Sequence, residues 1–349
     1  MEFRESLEIL QVHCQGEIGK VVIGGIPDLP GETMAAKMQF LNHGDGRFRR
    51  FLTSEPRAGV VTGTNLLLPS SRPDADFGFI VLQADKAHAM SGSNCICVVT
   101  AVLEAGLMEM REPQTTVRLD TPAGLIVATA HCGEGRCLSV SLDSVPSFVE
   151  QLDCPIQTTR WGQIRGDIAF GGIYYAIVDV DQLGLQIVPS QARDLAEAGT
   201  EILTTVVTEV RVQHPLMEQV NGVAYVMFRQ IDPDGAVRTC TTLKPGRVDR
   251  SPCGTGSCAN LAVQHARGEL VVGQTSISRS IIGGEFQCEI AQLTTVLGRP
   301  AIVPRITGQG WIYGKEFMRM TAEDPFRKGF VLSDTWGSQA GALEETLRP

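Results

Sequence analysis

The chain has 349 residues, of which 43% are hydrophobic and 20% charged, enough for two domains of about 150 residues each and ordinary for a globular protein. Its net charge of −9 argues against a nucleic-acid or anionic-membrane partner, since both want clustered Lys and Arg. No run approaches the ~20 apolar residues that cross a bilayer, and the N-terminus lacks a basic region followed by an apolar stretch, so no secretory signal is expected.

In chain order, short apolar or alternating runs at 20–23, 64–68, 77–82, 116–119, 125–128, 138–141, 168–170 and 175–178 read as strands. A second series follows at 201–212, 223–229, 239–242, 276–282, 287–291, 301–306, 310–313 and 317–321, separated like the first by Gly, Pro, Asn and Asp. Helical spacing is confined to 32–41, 93–107, 145–152, 190–198 and 256–268. Many strands with few helices predict an α+β or mixed α/β architecture, without the regular strand–helix alternation of a dinucleotide fold.

An internal echo organises these elements. Ser91-Gly92-Ser93-Asn94-Cys95 precedes an apolar helix closing at Gly106, and Cys253-Gly254-Thr255-Gly256-Ser257-Cys258 precedes another closing at Gly268, with a spacing of fifteen residues in both. Each unit reads as a polar turn, a helix start, about three turns of buried helix and a Gly stop. Two such units, 162 positions apart, imply two domains of similar shape, with a boundary near 153–160. The expected division is 1–155 and 156–327.

Asp249-Arg250-Ser251-Pro252-Cys253-Gly254-Thr255-Gly256 resembles the second catalytic motif of the proline racemase family, which includes hydroxyproline epimerases and trans-3-hydroxy-L-proline dehydratases. Met90-Ser91-Gly92-Ser93-Asn94 is similar to the family's first motif, Met-Cys-Gly-His. The likeness extends to His13-Cys14-Gln15-Gly16-Glu17, Pro30-Gly31, Glu55-Pro56-Arg57, Ser280-Ile281-Ile282-Gly283, Ile306-Thr307-Gly308 and Asp324-Pro325-Phe326. It implies two domains like those of diaminopimelate epimerase, each a curved sheet around a central helix, with the active site in the cleft between them. It also implies that residues 328–349 return onto the first domain. No cofactor and no metal are implied; the expected partner is a small amino acid such as hydroxyproline, with no nucleic acid and no membrane, and a homodimer is one option for assembly.

Removing an α-proton from an amino acid without a cofactor needs a desolvated base beside the Cα–H and donors around the carboxylate. Cys253 and Ser91 are the expected catalytic pair. The helix start beneath Cys253 favours its thiolate. Gly254 and Thr255, and in the other unit Gly92 and Ser93, offer backbone N–H groups for a substrate carboxylate. The resemblance makes Asp249 the partner of the substrate's ring ammonium. Each residue has a plainer reading: Cys253 as a buried structural thiol, Asp249 as a turn residue, Ser93 and Thr255 as helix caps.

The departures from the family pattern are Ser91 and Ser93, where epimerases carry cysteine and histidine. A serine hydroxyl is a far weaker base than a thiol ionising at ~8.5, and no histidine remains in the motif to activate it. Elimination asks less of a second base than inversion does, so the expected activity is a trans-3-hydroxy-L-proline dehydratase, a hydro-lyase yielding Δ1-pyrroline-2-carboxylate. The alternative is a 4-hydroxyproline 2-epimerase or proline racemase (an isomerase), or a dual enzyme. A binding protein without activity and a thiol redox protein using Cys253 with Cys258 are the rivals of other classes. Which of Ser91 and Cys253 is base and which acid stays open.

Cys95 reads as a buried residue, Glu55 and Arg57 as structural support, and Phe286 with the loop 58–65 as candidates for the wall near the substrate ring. His131, Cys132 and Cys137 lack the spacing of a metal site, and Gly24-Gly25 and Gly283-Gly284 lack a nucleotide fingerprint. Ten cysteines, several within apolar runs, read as reduced thiols in the cytoplasm.

Overall fold

The computed structural model describes residues 6–343 apart from 45, 218–219, 338–339 and 342. They separate into two compact units: one takes the residues up to Leu142 together with those from Gly308 onward, the other Asp143–Thr307.

The first unit contains strands β1 (Leu7–Cys14), β2 (Glu17–Gly24), β3 (Thr62–Leu68), β4 (Phe77–Leu82), β5 (Ala87–His88), β6 (Gln114–Thr121), β7 (Gly124–Gly133) and β8 (Arg136–Asp143). Its helices are α1 (Met34–His43), α2 (Arg47–Thr53) and α3 (Gly92–Glu104). The second holds β9 (Phe148–Thr158), β10 (Gly162–Phe170), β11 (Tyr174–Asp179), β12 (Val223–Ile231), β13 (Val237–Leu243), β14 (Arg247–Val248), β15 (Thr275–Ser280), β16 (Glu285–Val296) and β17 (Arg299–Gly308), with helices α4 (Ala192–Glu209) and α5 (Gly254–Ala266). Strand β18 (Gly310–Met318) and the short α6 (Ser333–Trp336) complete the described chain.

Strand pairing makes the repeat explicit. The first unit runs β18-β1-β2-β3-β4-β6-β7-β8, antiparallel except for β2 with β3 and β4 with β6. The second runs β9-β10-β11-β12-β13-β15-β16-β17, antiparallel except at the two corresponding places, β11 with β12 and β13 with β15. The orders are identical, save that the first unit's edge strand comes from the C-terminal end of the chain. Where the sequence suggested a second domain running to 327, β18 belongs to the first unit, and the expected boundary at 153–160 falls within or just after β9.

Each sheet curls around one helix. Helix α3 touches β18, β1, β2, β3 and, near the far edge, β7; α5 touches β9, β10, β11 and β16. Every residue of α3 from Gly92 to Leu103 is buried, the mark of a helix enclosed on all sides. Both helices end alike: Gly106 and Gly268 have φ of +69° and +74°, and the next residue's N–H reaches back five positions, Leu107 to Val102 at 3.0 Å and Glu269 to Gln264 at 2.8 Å. Glycine suits this left-handed stop because no Cβ meets the carbonyl.

Three local expectations differ from the structure. Residues 145–152 do not form a helix; most of them open β9, whose partner β10 supplies the ladder. The run 201–212, rich in Thr and Val, continues α4 to Glu209, because Leu195, Ala198, Gly199, Ile202 and Val206 bury one helical stripe. Tertiary burial overrides the strand preference of β-branched residues there. Strand β1 and helix α2 have no counterpart among the expected elements.

Of the segment 328–349, the described part packs on the first unit. Trp336 is buried with Val331, Ala340 and Leu343 against Val60 and Ala84, and its Nε1 donates to Glu55 Oε1 at 2.7 Å. Positions 338–339, 342 and 344–349 lie outside the described residues. No described helix is long and apolar enough to cross a membrane.

Candidate active site

In the second unit the candidate residues lie on the turn that enters α5. Cys253 is its N-cap, at φ +68° and ψ 105°, a left-handed backbone that costs a non-glycine residue about 1–3 kcal/mol and marks functional turns. Its side chain makes no capping hydrogen bond. The residue is 6% exposed, and its Sγ lies 3.4 Å from the Tyr175 hydroxyl, which is 2.7 Å from Thr255 Oγ1. Asp249, also buried, accepts from the Ser251 N–H at 2.8 Å and the Ser251 hydroxyl at 2.9 Å, and the Ser251 Oγ accepts from the Cys253 N–H at 3.2 Å. Gly254 is the first residue of α5 and Thr255 the second, so their N–H groups belong to the first turn, which has no intrahelical acceptor.

Burial, reinforced by the Asp249 carboxylate, pushes the Cys253 thiol up to about 12, while the Tyr175 hydroxyl works in the opposite direction. The expectation that the helix start would favour the thiolate is thus outweighed by desolvation. Burial and the neighbouring Cys253 hold Tyr175 well above the ordinary phenol range, so its hydroxyl keeps its proton. A thiolate can only accept, so ionised Cys253 ends a chain of donors from Thr255 through Tyr175. Tyr175 lay unremarked in an apolar strand run; no pattern in the sequence links it to a thiol 78 positions away. Tyr175→Phe is expected to lower kcat about tenfold and to move the alkaline rise of the rate to higher pH, since loss of the donor raises the thiol further. A pH–rate profile superimposable on the parent's removes Tyr175 from this role.

In the first unit Ser91 is the N-cap of α3, in extended backbone, and likewise makes no capping bond. Its Oγ instead accepts from Asn94 Nδ2 at 2.9 Å and lies 3.4 Å from Ser93 Oγ. Gly92 and Ser93 occupy the first turn, both buried. Neither Ser93 nor Thr255 is the cap of its helix. The nearest preceding histidine, His88, lies 3.0 Å from Asp85 Oδ1.

Cys95 is fully buried, and burial pushes its thiol up to about 12. Glu55 and Arg57 do not pair with each other: Glu55 receives Trp336, and Arg57 meets Asp324 Oδ2 at 3.2 Å and the Phe326 carbonyl at 2.9 Å. Phe286 is completely buried on β16, while the expected loop 58–65 runs into β3 from Thr62, whose Asn65 contacts Asn94. His131 contacts Ser141 at 3.2 Å, and no group of His, Cys, Asp or Glu able to hold a metal occurs among the described residues.

Two similar eight-strand sheets, each curled around a helix whose entry turn carries the candidate residues, define an epimerase-like fold. A phenazine biosynthesis protein of the PhzF family from Bacillus anthracis shares it, with a TM-score of 0.59 at 10% identity over 91% of this chain and all of that one. The family model for proline racemase matches residues 9–331, and the chain belongs to the proline racemase family. It is 53% identical to the 4-hydroxyproline 2-epimerase of Allorhizobium ampelinum, over 99% of this chain and the full length of that protein. It also matches the crystal structure of a hydroxyproline epimerase from Agrobacterium vitis with bound trans-4-hydroxy-L-proline, with a TM-score of 0.91 and 53% identity over 98% of this chain and all of that one.

These relatives overturn the expectation of a trans-3-hydroxy-L-proline dehydratase, and with it the lyase class: four of them, at 50–53% identity over nearly the whole chain, are named as 4-hydroxyproline 2-epimerases. Histidine is missing from the motif, but an amide donor stands on the Ser91 oxygen.

Proposed function

We propose that the protein is a cofactor-independent 4-hydroxyproline 2-epimerase, inverting the α-carbon of trans-4-hydroxy-L-proline. The full-length identity to epimerases of that name carries the reading. Two entry turns, each presenting a side chain that caps nothing, supply the chemistry. Inversion needs one acid/base group for each face of the carbon. Cys253 serves one face and Ser91 the other: the proton lost to one side chain is replaced by the proton the other releases. Both residues then stand with their protonation exchanged, ready for the opposite direction or for resetting by solvent.

The first-turn N–H groups of Gly254 and Thr255, and those of Gly92 and Ser93, hold the substrate carboxylate and take up charge as the carbanion develops. Asp249 receives the ring ammonium. That cation also lowers the cost of a thiolate at Cys253, because an opposite charge within a few ångströms favours the ionised form. None of the ten cysteines forms a disulfide and all are buried, which supports a reducing compartment, the cytoplasm.

The test is incubation with trans-4-hydroxy-L-proline while optical rotation is followed, with trans-3-hydroxy-L-proline assayed in parallel for Δ1-pyrroline-2-carboxylate. Rotation change on the 4-hydroxy substrate is expected. Calorimetric binding without inversion, or pyrroline formation as the sole activity, overturns the reading.

A further inference from the structure

A buried amide relay ends on Ser91. Asn65 Nδ2 donates to the Lys20 backbone carbonyl at 3.2 Å and to Asn94 Oδ1 at 2.9 Å. Asn94 Nδ2 then donates to Ser91 Oγ at 2.9 Å. The backbone carbonyl can only accept, so it fixes which end of the Asn65 amide faces it, and that in turn fixes the orientation of Asn94. Reversing Asn65 would set its oxygen against the Lys20 carbonyl and Asn94 oxygens, and reversing Asn94 alone would set one NH2 against the other. The relay therefore has one polarity, and its last hydrogen points at the serine oxygen.

Asn65 is 0% and Asn94 3% exposed, and a buried carboxamide is stabilised by pairing: while the buried Asn65 Oδ1 has no hydrogen-bond partner, both Nδ2 groups and the Asn94 oxygen are paired. The two neighbouring strands also make way for this side chain. A Cβ on Gly19 of β2 would lie 2.8 Å from Asn94 Oδ1, and one on Gly63 of β3 would lie 3.2 Å from it. Those two glycines are register partners. Ser91 is left with a lone pair held by Asn94 and a hydrogen that this bond does not use, with Ser93 Oγ 3.4 Å away, although a serine at a helix start ordinarily caps the helix.

We propose that Asn94, held by Asn65, is a positioning residue that makes Ser91 competent in proton transfer: the Nδ2 hydrogen stabilises negative charge developing on Oγ and keeps the Ser91 proton from pointing at Asn94. Histidine's position in the first motif of the resembling family is Ser93 here, so the donor on Ser91 comes from the residue after it. The inference rests on the acid/base reading of Ser91 given above. A hydrogen bond to a charged oxygen is strong, and an alcohol, far harder to ionise than a thiol, depends on it most.

The test is a double-mutant cycle on kcat for the inversion of trans-4-hydroxy-L-proline. Asn94→Ala is expected to lower kcat about 10- to 100-fold with KM within about threefold, the loss of one hydrogen bond to a charged group. In a Ser91→Cys background the same change is expected to cost no more than about threefold, because a thiol ionising at ~8.5 needs little help. Equal losses in both backgrounds mark Asn94 as merely structural and overturn the proposal, as does an Asn94→Ala enzyme within twofold of the parent. If the parent inverts no hydroxyproline, the epimerase reading fails separately. Alkylation of the Ser91→Cys thiol with iodoacetamide, read peptide by peptide against pH, still decides the relay. Its midpoint rises by about half a unit on Asn94→Ala if the amide donates to residue 91, and an unchanged midpoint overturns the proposal.

Discussion

Cys253→Ser is expected to lower kcat for hydroxyproline inversion by about 10²- to 10⁴-fold, the range that a positioned acid/base group contributes. The two side chains are nearly the same size, so packing around the site changes little and the melting temperature is expected to stay within a few degrees. Proton affinity is what changes. The Cys253 thiol is already raised by burial to about 12, and a hydroxyl in the same enclosure beside Asp249 is harder still to ionise. The serine placed at 253 has no amide donor like the one on Ser91, so its face of the carbon loses its acid/base group. Proton wash-in at the α-carbon, followed in D₂O, should fall along with inversion. A variant that turns over at a near-parental rate would remove Cys253 from the chemistry.

Gly171→Ala is expected to destabilise the protein by about 3 kcal/mol, the upper end of the usual cost of overpacking, and to lower kcat with it. Gly171 follows β10 where α5 presses directly on the backbone. A Cβ there would lie 2.2 Å from the Thr255 carbonyl oxygen and 2.4 Å from the Ala259 N–H nitrogen. Neither neighbour is a flexible side chain, so the helix itself must withdraw, taking with it the turn that carries Cys253, Gly254 and Thr255. Gly59→Ala is the control, since a Cβ there meets nothing within 4 Å; its effect should stay within about 0.5 kcal/mol. Thermal unfolding and kcat check both variants. A Gly171→Ala protein as stable and active as the parent would show that the contact between the helix and β10 does not hold the site.

The same close packing explains how a strained Cys253 persists. Its left-handed backbone is held on one side by the Ser251 hydroxyl, which accepts from its N–H, and on the other by α5, where the Ser257 N–H donates to the Cys253 carbonyl at 2.8 Å. A Cβ on Gly256 would fall 3.1 Å from the Cys253 sulfur and 2.3 Å from Met227 Cε, so glycine at that position leaves the thiol its space. Further along α5, Arg229 meets Asn260 Oδ1 at 3.3 Å, and Arg267 joins Asp167 at 2.7 Å and Asp153 at 2.9 Å. These pairs tie the helix to the surrounding strands. A helix anchored at its far end and pressed on backbone near its start has little freedom to carry its entry turn away.

Local chemistry made a large part of this legible in the chain itself. The entry turns at Ser91 and Cys253, the equal helix lengths and the Gly stops at 106 and 268 depend on residues within one helix of each other, so spacing alone reveals them. Strand β4 coincides with the expected 77–82 because its buried run is bounded by turn residues on both sides. The doubling of the fold followed from the repeat of one such unit. Tertiary structure decided what rests on distant partners. Residues 201–209 are helical because a buried stripe forms only once β12 and β13 lie beneath it. Strand β18 completes the first sheet from the far end of the chain, a choice no local pattern encodes. Tyr175 reaches Cys253, and Asn65 reaches Asn94, by hydrogen bonds across 78 and 29 positions. A hydrogen bond depends on where two atoms lie in space, and neither pairing is encoded by spacing along the chain.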